Sequence, residues 1–555
     1  MSSVHPIYPP ATAMAGGNLF AAIDLGTSSF KLTVVRADPH SGRFLTLNRL
    51  KDPVRLGLDI TDAAISTESL DRAVSAIRSF QNHLHSHSLP PSHLRLVATS
   101  AVREASNKSE FITAIDEHLG LRVDILSGEE EARLIYLGVL QFFPISNSTV
   151  LTIDIGGGST EFTVGFHGNI LFSKSLKLGH VTLTQKFSDV ALMREHITTE
   201  LETSGLIPKI KEFKLDAVIG SSGTIRAIDK AVSKGYALKP DENHVLFDEF
   251  VKPDWRFSRD ELRDLVQSLH DEEEDDNGIH GKLRREQFFK SRAGFIKAGT
   301  VLLDVIFDKL GIEEMEVSGY ALGEGVITDM LGQVHDGFDL NANARWRSVV
   351  RLATRFNNKK RMKAAATCAG IAREFLEGMG RLNTFHGDGS SDNCELSVFL
   401  DDADIEYLDA ACLLHNIGMY SGKKGYHKQS YRAIMNGDNL GGYTREETKL
   451  IALLVRYHRK KIPKDDVLEG STKVKQKFRI LCAILRISCA LQQCFPVNSR
   501  AIEFVHSSEG LKLILRRTMD ETRGRSSGES IDGILEKELD FFKTVFKQKL
   551  SIQVT

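Results

Sequence analysis

The sequence predicts an α/β protein with a mainly helical second half. Three observations carry that expectation. Apolar, β-branched runs alternate with amphipathic helical stretches from about residue 18 to 335. A strand–turn–strand unit with an Asp and a Gly turn occurs twice, at 18–37 and 150–165. From about residue 340 helical periodicity dominates, until short strands return after 500.

The 555 residues correspond to three or four domains at ~150 residues each. Hydrophobic residues make up 41% and charged residues 26%, which are globular values. With a net charge of −2 there is no global bias toward nucleic acid or membrane, so any anion site is made locally. The six cysteines include no CxxC pair and read as reduced, mostly buried thiols of an intracellular protein. No stretch approaches ~18 apolar residues, so no membrane span is expected. The first residues, "MSSVHPIYPPATAMAGG", lack Lys, Arg and an apolar h-region, so a flexible tail and a cytoplasmic location are expected.

Taken in order, 1–17 is the tail and 18–145 and 146–335 are two lobes. Residues 340–500 form a helical domain and 501–555 a small α+β region. "NLFAAIDLGTSSFKLTVVRA" and "VLTIDIGGGSTEFTVG" are the duplicated hairpins. Between them, "LRLVATSAVREASN" is a strand entering a helix, and "VDILSGEEEARLIYLGVL" is a strand, a turn and a helix. "LDAVIGSSGTIRAIDKAV" reads as strand, Gly/Ser loop and helix, and "MEVSGYALGEGVITDML" has the same shape. The charged run 270–287 reads as a solvated loop.

The two hairpin turns carry the first chemistry. Glycines let backbone N–H groups approach phosphate oxygens. An Asp at the strand end repels a bare phosphate unless a divalent cation lies between them. Asp24 with Gly26, Thr27, Ser28 and Ser29 fits Mg²⁺–phosphate binding, with Mn²⁺ as the other candidate. So does Asp154 with Gly156, Gly157, Gly158, Ser159 and Thr160. Glu161 follows as a further metal candidate. Ser221, Ser222, Gly223 and Thr224 suit a phosphate at a helix N-terminus.

This pair of loops resembles those of the sugar kinase, heat-shock ATPase and actin superfamily. That resemblance implies two ribonuclease-H-like lobes facing across a cleft. "ATSAVREASN", "SGEEEARLIY", "DIGGGSTE" and "GSSGT", in that order, resemble the exopolyphosphatase/guanosine pentaphosphate phosphohydrolase (Ppx/GppA) family in its long form. The resemblance implies hydrolysis of a terminal phosphoryl group of inorganic polyphosphate or guanosine pentaphosphate. It puts the water-activating carboxylate on Glu131 and a phosphate-contacting guanidinium on Arg103. Thr99 and Ser100, in the same motif as Arg103, are assigned to substrate. A homodimer is implied by the family alone.

The chain departs from the family pattern at three places. Thr27 and Ser28 stand where many members have Ser-Asn. Gly294 stands where an Asp is usual and Gly323 where an Arg is usual. These losses support an alternative: a phosphate- or nucleotide-binding regulator with little turnover, like the fungal retrograde-signalling proteins of the family.

The helical domain resembles a degenerate HD domain. An active one needs a His-Asp pair, a distal His and a late Asp. Here the pair is His415-Asn416, "RMKAAATCAGIA" offers no His, and Cys489 takes the late Asp position. No metal and no second active site are expected there. His415, His427 and His458 read as structural or anion-contacting. The basic runs 345–363 and 455–464 offer a path for a long polyanion. No nucleic-acid module is recognised.

Overall fold

In the computed structural model the described residues are 19–554, apart from 39–42, 59, 62–63, 86–88, 144, 146, 238–254, 275–278, 336–343, 385–399, 437–439, 460–470, 495–501, 508–509 and 516–530. The tail expected at 1–17 lies outside them. The chain divides into two compact units, Met1–Arg347 and Ser348–Thr555.

The first unit holds two sheets of matching plan. In chain order its first half runs β1 (Leu19–Leu25), β2 (Phe30–Asp38), β3 (Arg43–Asp52), a two-residue ladder of β4 (Ile60–Thr61) and β5 (Ala64–Ile65), and α1 (Thr67–His85). It continues with β6 (Leu94–Ala98), α2 (Ser100–Arg103), α3 (Lys108–Leu119), β7 (Val123–Ile125) and α4 (Gly128–Leu140). The second half runs β8 (Val150–Ile155), β9 (Thr160–Phe166), β10 (Asn169–Leu176), α5 (His180–Lys186), α6 (Val190–Thr203) and α7 (Leu206–Lys211). After it come β11 (Ala217–Ser221), α8 (Ser222–Ser233), β12 (Arg256–Ser258), α9 (Arg259–Glu274), α10 (Ile279–Phe289), α11 (Ile296–Leu310), β13 (Glu314–Val317) and α12 (Leu322–Val334).

The first sheet has the order β3-β2-β1-β6-β7 and the second β10-β9-β8-β11-β13-β12. In both, an antiparallel meander joins parallel strands reached through helices. The expected duplication is therefore structural as well as sequential. β1 reads LFAAIDL and is buried along its whole length, as a central strand covered on both faces must be. Each sheet has its own apolar core, around Ile23, Leu32 and Ile77 in one and Ile153, Phe162 and Leu302 in the other.

Two helices exchange sheets, which sequence order does not show. α4 follows β7 of the first sheet but packs on β8, β9 and β10 of the second. The Thr163 hydroxyl donates to the Ala132 carbonyl at 3.3 Å. α12 follows β13 of the second sheet but packs on β1 and β2 of the first. The two helices cross at Gly138 and Gly325, where a side chain on either would overlap the other's backbone. Asp329 of α12 clamps the crossing with ion pairs to Arg95 (2.9 Å) and Arg133 (2.7 Å).

The charged run 270–287 is not a loop. Apart from 275–278 it forms the end of α9 and most of α10. Glu272 turns inward and accepts from Tyr236 Oη at 2.7 Å. A buried partner outweighed the acidic composition that suggested solvent.

The second unit is helical, as expected. Near its start lies α13 (Ala344–Phe356), followed by α14 (Lys359–Thr384), α15 (Asp402–Leu414), α16 (Tyr426–Met435), α17 (Arg445–Tyr457) and α18 (Thr472–Cys494). A sheet of β14 (Ile502–Ser507), β15 (Gly510–Leu515) and β16 (Leu550–Val554), with α19 (Ile531–Phe546), completes it. Among the described residues no helix is long and apolar enough to cross a membrane.

Candidate functional site

The duplicated hairpins place their aspartates at equivalent points. Asp24 pairs across the strands with Lys31, and Asp154 pairs with Glu161. The same position therefore supplies a cation in one lobe and an anion in the other. Lys31 Nζ binds Asp24 Oδ2 at 2.8 Å. Asp154 accepts a hydrogen bond from the Ser221 hydroxyl.

The turns meet each other. A Cβ on Gly157 would lie 2.8 Å from Thr27 Cβ, and one on Gly158 would lie 2.5 Å from Ser100 Oγ. Neither glycine has a positive φ. They are required here because Thr27 and Ser100 of the first lobe occupy the space a side chain would take. The open approach expected for a phosphate is, at these two residues, an approach of one loop to the other. The helix α5 returns to the second turn, where the Val181 amide donates to Gly157 O at 2.9 Å.

Arg103 ends α2 and Glu131 lies in the first turn of α4. Arg103 Nη1 donates to Glu131 Oε2 and to Leu126 O, both at 2.9 Å. Ser127 caps α4 by accepting from the Glu130 amide at 3.1 Å. Glu130 turns to Arg133 at 2.7 Å, whereas Glu131 is buried, so a single step along the helix separates a surface acid from a site acid.

The buried acids repel one another. Burial, opposed by Arg103 and reinforced by Asp24 and Asp154, pushes the Glu131 carboxyl up to about 7. Burial and the fields of Glu131 and Asp154 hold Glu161 well above the carboxylate range. Glu161 Oε1 accepts from Ser175 at 2.9 Å, while its buried Oε2 has no partner. Burial likewise raises Asp154. A divalent cation would relieve this excess of negative charge, so the donor set fits one. Among the described residues no three of these carboxylates bring oxygens within 4.8 Å of one another. That spread suits Mg²⁺, which takes one or two carboxylates together with phosphate and water.

Other assigned residues fall as follows. Thr99 is the N-cap of α2 and Ser100 its first residue. The Thr160 hydroxyl donates to Leu178 O at 2.5 Å, so its proton is committed to the strand that follows and not to a substrate. Ser159 and Ser29 are buried in their turns. Ser221 ends β11 and is the N-cap of α8, and 222–224 are its first turn, so no loop intervenes. Ser222 holds φ at 82°, unusual for a non-glycine residue, with its hydroxyl donating to Ile155 O at 3.1 Å. Thr224 Oγ1 lies 3.1 Å from His180 Nδ1. The space beside Gly223 is filled by the Arg292 guanidinium.

A cationic pocket beside Ser28 was missed from the sequence. Ser28, Lys51, Arg55, His180 and Arg292 line one pocket. Burial and the neighbouring Arg292, Lys31 and Lys51 push the His180 imidazole down to about 4, so it is neutral at pH 7. Arg226 donates to Ser222 O at 2.8 Å and Gly319 O at 3.1 Å, and burial lowers it to about 10. These residues lie in strands, turns and helices far apart in sequence, with no motif of their own. Of the basic run 345–363, Trp346 and Arg347 are buried, and Trp346 donates to Phe44 O at 3.1 Å. Residues 460–464 of the second run lie outside the described residues.

The chain is similar to known proteins. A profile of the Ppx/GppA phosphatase family matches residues 33–334, and one of Ppx/GppA phosphatase domain III matches 345–517. The guanosine-5'-triphosphate,3'-diphosphate pyrophosphatase of Pseudoalteromonas translucida (strain TAC 125) is 29% identical over 492 residues, covering 86% of this chain and 88% of that one. An exopolyphosphatase structure from Cytophaga hutchinsonii ATCC 33406 is 26% identical with a TM-score of 0.49, over 57% of this chain and 99% of that one. The Aquifex aeolicus member of the Ppx/GppA protein family is 22% identical with a TM-score of 0.46, over 57% of this chain and 99% of that one.

Proposed function

This chain belongs to the Ppx/GppA phosphatase family, and from that premise we propose that it is a Mg²⁺-dependent phosphoanhydride hydrolase releasing terminal orthophosphate from inorganic polyphosphate. Guanosine pentaphosphate, hydrolysed to the tetraphosphate, is the second substrate of the same class. The observation that carries the reading is the Arg103–Glu131 pair. It sets a carboxylate with a pKa of about 7 among Asp24, Asp154 and Glu161.

Glu131 is suited to general base catalysis because it titrates near neutral pH. Arg103 holds Oε2, which leaves Oε1 to accept a proton from the attacking water. The guanidinium then stands beside the charge that develops on the phosphoryl oxygens. Asp24, Asp154 and Glu161 would hold the cation, which when bound neutralises phosphate charge. Beside Ser28, Lys51, Arg55 and Arg292 give the rest of a polyanionic substrate a cationic wall.

One observation favours the regulatory alternative. A Cβ at Gly323 would lie 2.6 Å from Thr33 Oγ1, so the Arg usual in the family is not accommodated without a shift. The deciding experiment is orthophosphate release from long-chain polyphosphate, and separately from guanosine pentaphosphate, with Mg²⁺ and with EDTA. Mg²⁺-dependent release lost in Glu131→Ala supports the hydrolase. Binding of either anion without release makes the protein a regulator. Release unaffected by Glu131→Ala removes Glu131 from the mechanism.

A further inference from the structure

The degenerate HD region contains a cluster that the phosphatase reading does not use. Cys368 lies on α14, His415 caps the C-terminal end of α15, and Cys489 lies on α18. All three are buried. Their ligand atoms lie within 4.8 Å of one another, and the two sulfurs are 3.5 Å apart.

We propose that Cys368, His415 and Cys489 form a structural site for a thiophilic divalent cation, Zn²⁺, at the centre of the second unit. The expectation of no metal rested on the lost distal His and the two lost HD carboxylates. The structure shows that thiols converge on the one imidazole that remains. The chemistry changes from hard to soft ligands, so the metal expected changes with it.

Three features of the geometry support the assignment. In a tetrahedral site with Zn–S near 2.3 Å, two sulfurs sit about 3.8 Å apart. The observed 3.5 Å needs only a small outward adjustment. His415 Nδ1 lies 2.8 Å from the Cys412 carbonyl, which makes it the donor there and leaves Nε2 as the ligand nitrogen. Finally, two thiolates balance one dication. Thiolate ligands must be deprotonated, so binding releases the Cys368 and Cys489 protons to solvent. Cys412, hydrogen-bonded to Cys368, stands one helical turn before His415, outside the three ligand atoms that converge.

The cation would tie together α14, α15 and α18, whose ligands are 121 residues apart at the extremes. Its role would be stability of the unit, independent of phosphate release. Failure of this proposal leaves the hydrolase reading untouched, and the reverse also holds.

The test is Co²⁺ titration of the full-length, reduced protein under anaerobic conditions. Cobalt reports thiolate ligation by an intense near-ultraviolet charge-transfer band and tetrahedral visible bands, which the carboxylates of the first unit cannot produce. One equivalent per chain with that spectrum, displaced by Zn²⁺, is the expected result. Cys489→Ser should weaken Co²⁺ affinity roughly 100-fold or more. Cys494→Ser, outside the cluster, should not. Zn²⁺ should raise the melting temperature of the wild type. Because the wild-type spectrum is decisive alone, a variant that fails to fold does not obscure the answer. Absence of the thiolate band in wild type overturns the proposal. So does a native Cys368–Cys489 disulfide detected by mass under the same reducing conditions.

Discussion

Arg103 Nη1 sits 2.9 Å from Glu131 Oε2, joining the end of α2 to the first turn of α4. The pair is asymmetric, with Glu131 buried and Arg103 half-buried. Arg103 lowers the Glu131 pKa, yet burial and two neighbouring aspartates carry it up to about 7. A carboxylate in that position is available as a base at neutral pH and costs stability when charged.

Glu131→Gln should therefore separate activity from stability. Orthophosphate release should fall by about 10²–10⁴. The folded-state pKa lies above the unfolded value, so the folded wild type loses stability as pH rises from the ordinary carboxylate range through about 7. Gln carries no such charge. The variant should melt higher than wild type at pH 8, by on the order of 1–3 kcal/mol, and the gap should close toward pH 4. Thermal melts across pH check this. An unchanged gap at both pH values would contradict the raised pKa.

Arg103→Ala removes the main group that lowers the Glu131 pKa. The acid limb of the pH–rate profile should move to higher pH, and the plateau rate should also drop. Arg103→Lys should recover part of the shift but less of the rate, because Lys lacks the bidentate fork. If the limb stays in place in Arg103→Ala, Glu131 is not the titrating base.

Gly157→Ala should be costly although the residue has an ordinary backbone conformation. Its new Cβ meets Thr27 Cβ at 2.8 Å and Thr27 Cγ2 at 3.1 Å. A loss of about 1–3 kcal/mol is expected from overpacking. Thr27→Gly removes both atoms, so the double variant should recover most of the loss relative to Thr27→Gly alone. A double-mutant cycle by denaturant unfolding measures this coupling. Additive losses would mean that the two turns do not touch in solution.

Lys51→Glu and Arg55→Glu should raise KM for polyphosphate more than they lower kcat, because both residues line the cationic pocket away from Glu131. The effect should shrink as salt rises and the Debye length falls from about 8 Å at 0.15 M. Initial rates at two ionic strengths are sufficient. A salt-independent KM change would indicate altered folding of the pocket and not lost attraction.

Much of this architecture was legible in the residues. The Asp–Gly hairpins, Arg103 and the Glu131 helix start each sit within one short segment, where strand pattern, turn chemistry and capping are local. The charged run 270–287 shows the limit. Its composition suggested a loop, but Glu272 found Tyr236 across the fold and the segment became helix. Thr160 looked like one more hydroxyl of the phosphate turn until the chain returned with Leu178 O to take its proton.

By itself, then, the sequence determined most of the strands and helices and which residue types stand at the hairpin turns, because those depend on neighbours along the chain. Only the tertiary structure decided the pairings between distant elements: Lys31 opposite Asp24 but Glu161 opposite Asp154, Thr27 over Gly157, α4 and α12 exchanging sheets, and Cys368 beside Cys489. The physical reason is that strand register, close packing and buried charge depend on distances through space. Residues that share no local pattern acquire a common site only when the backbone brings them within a few ångströms.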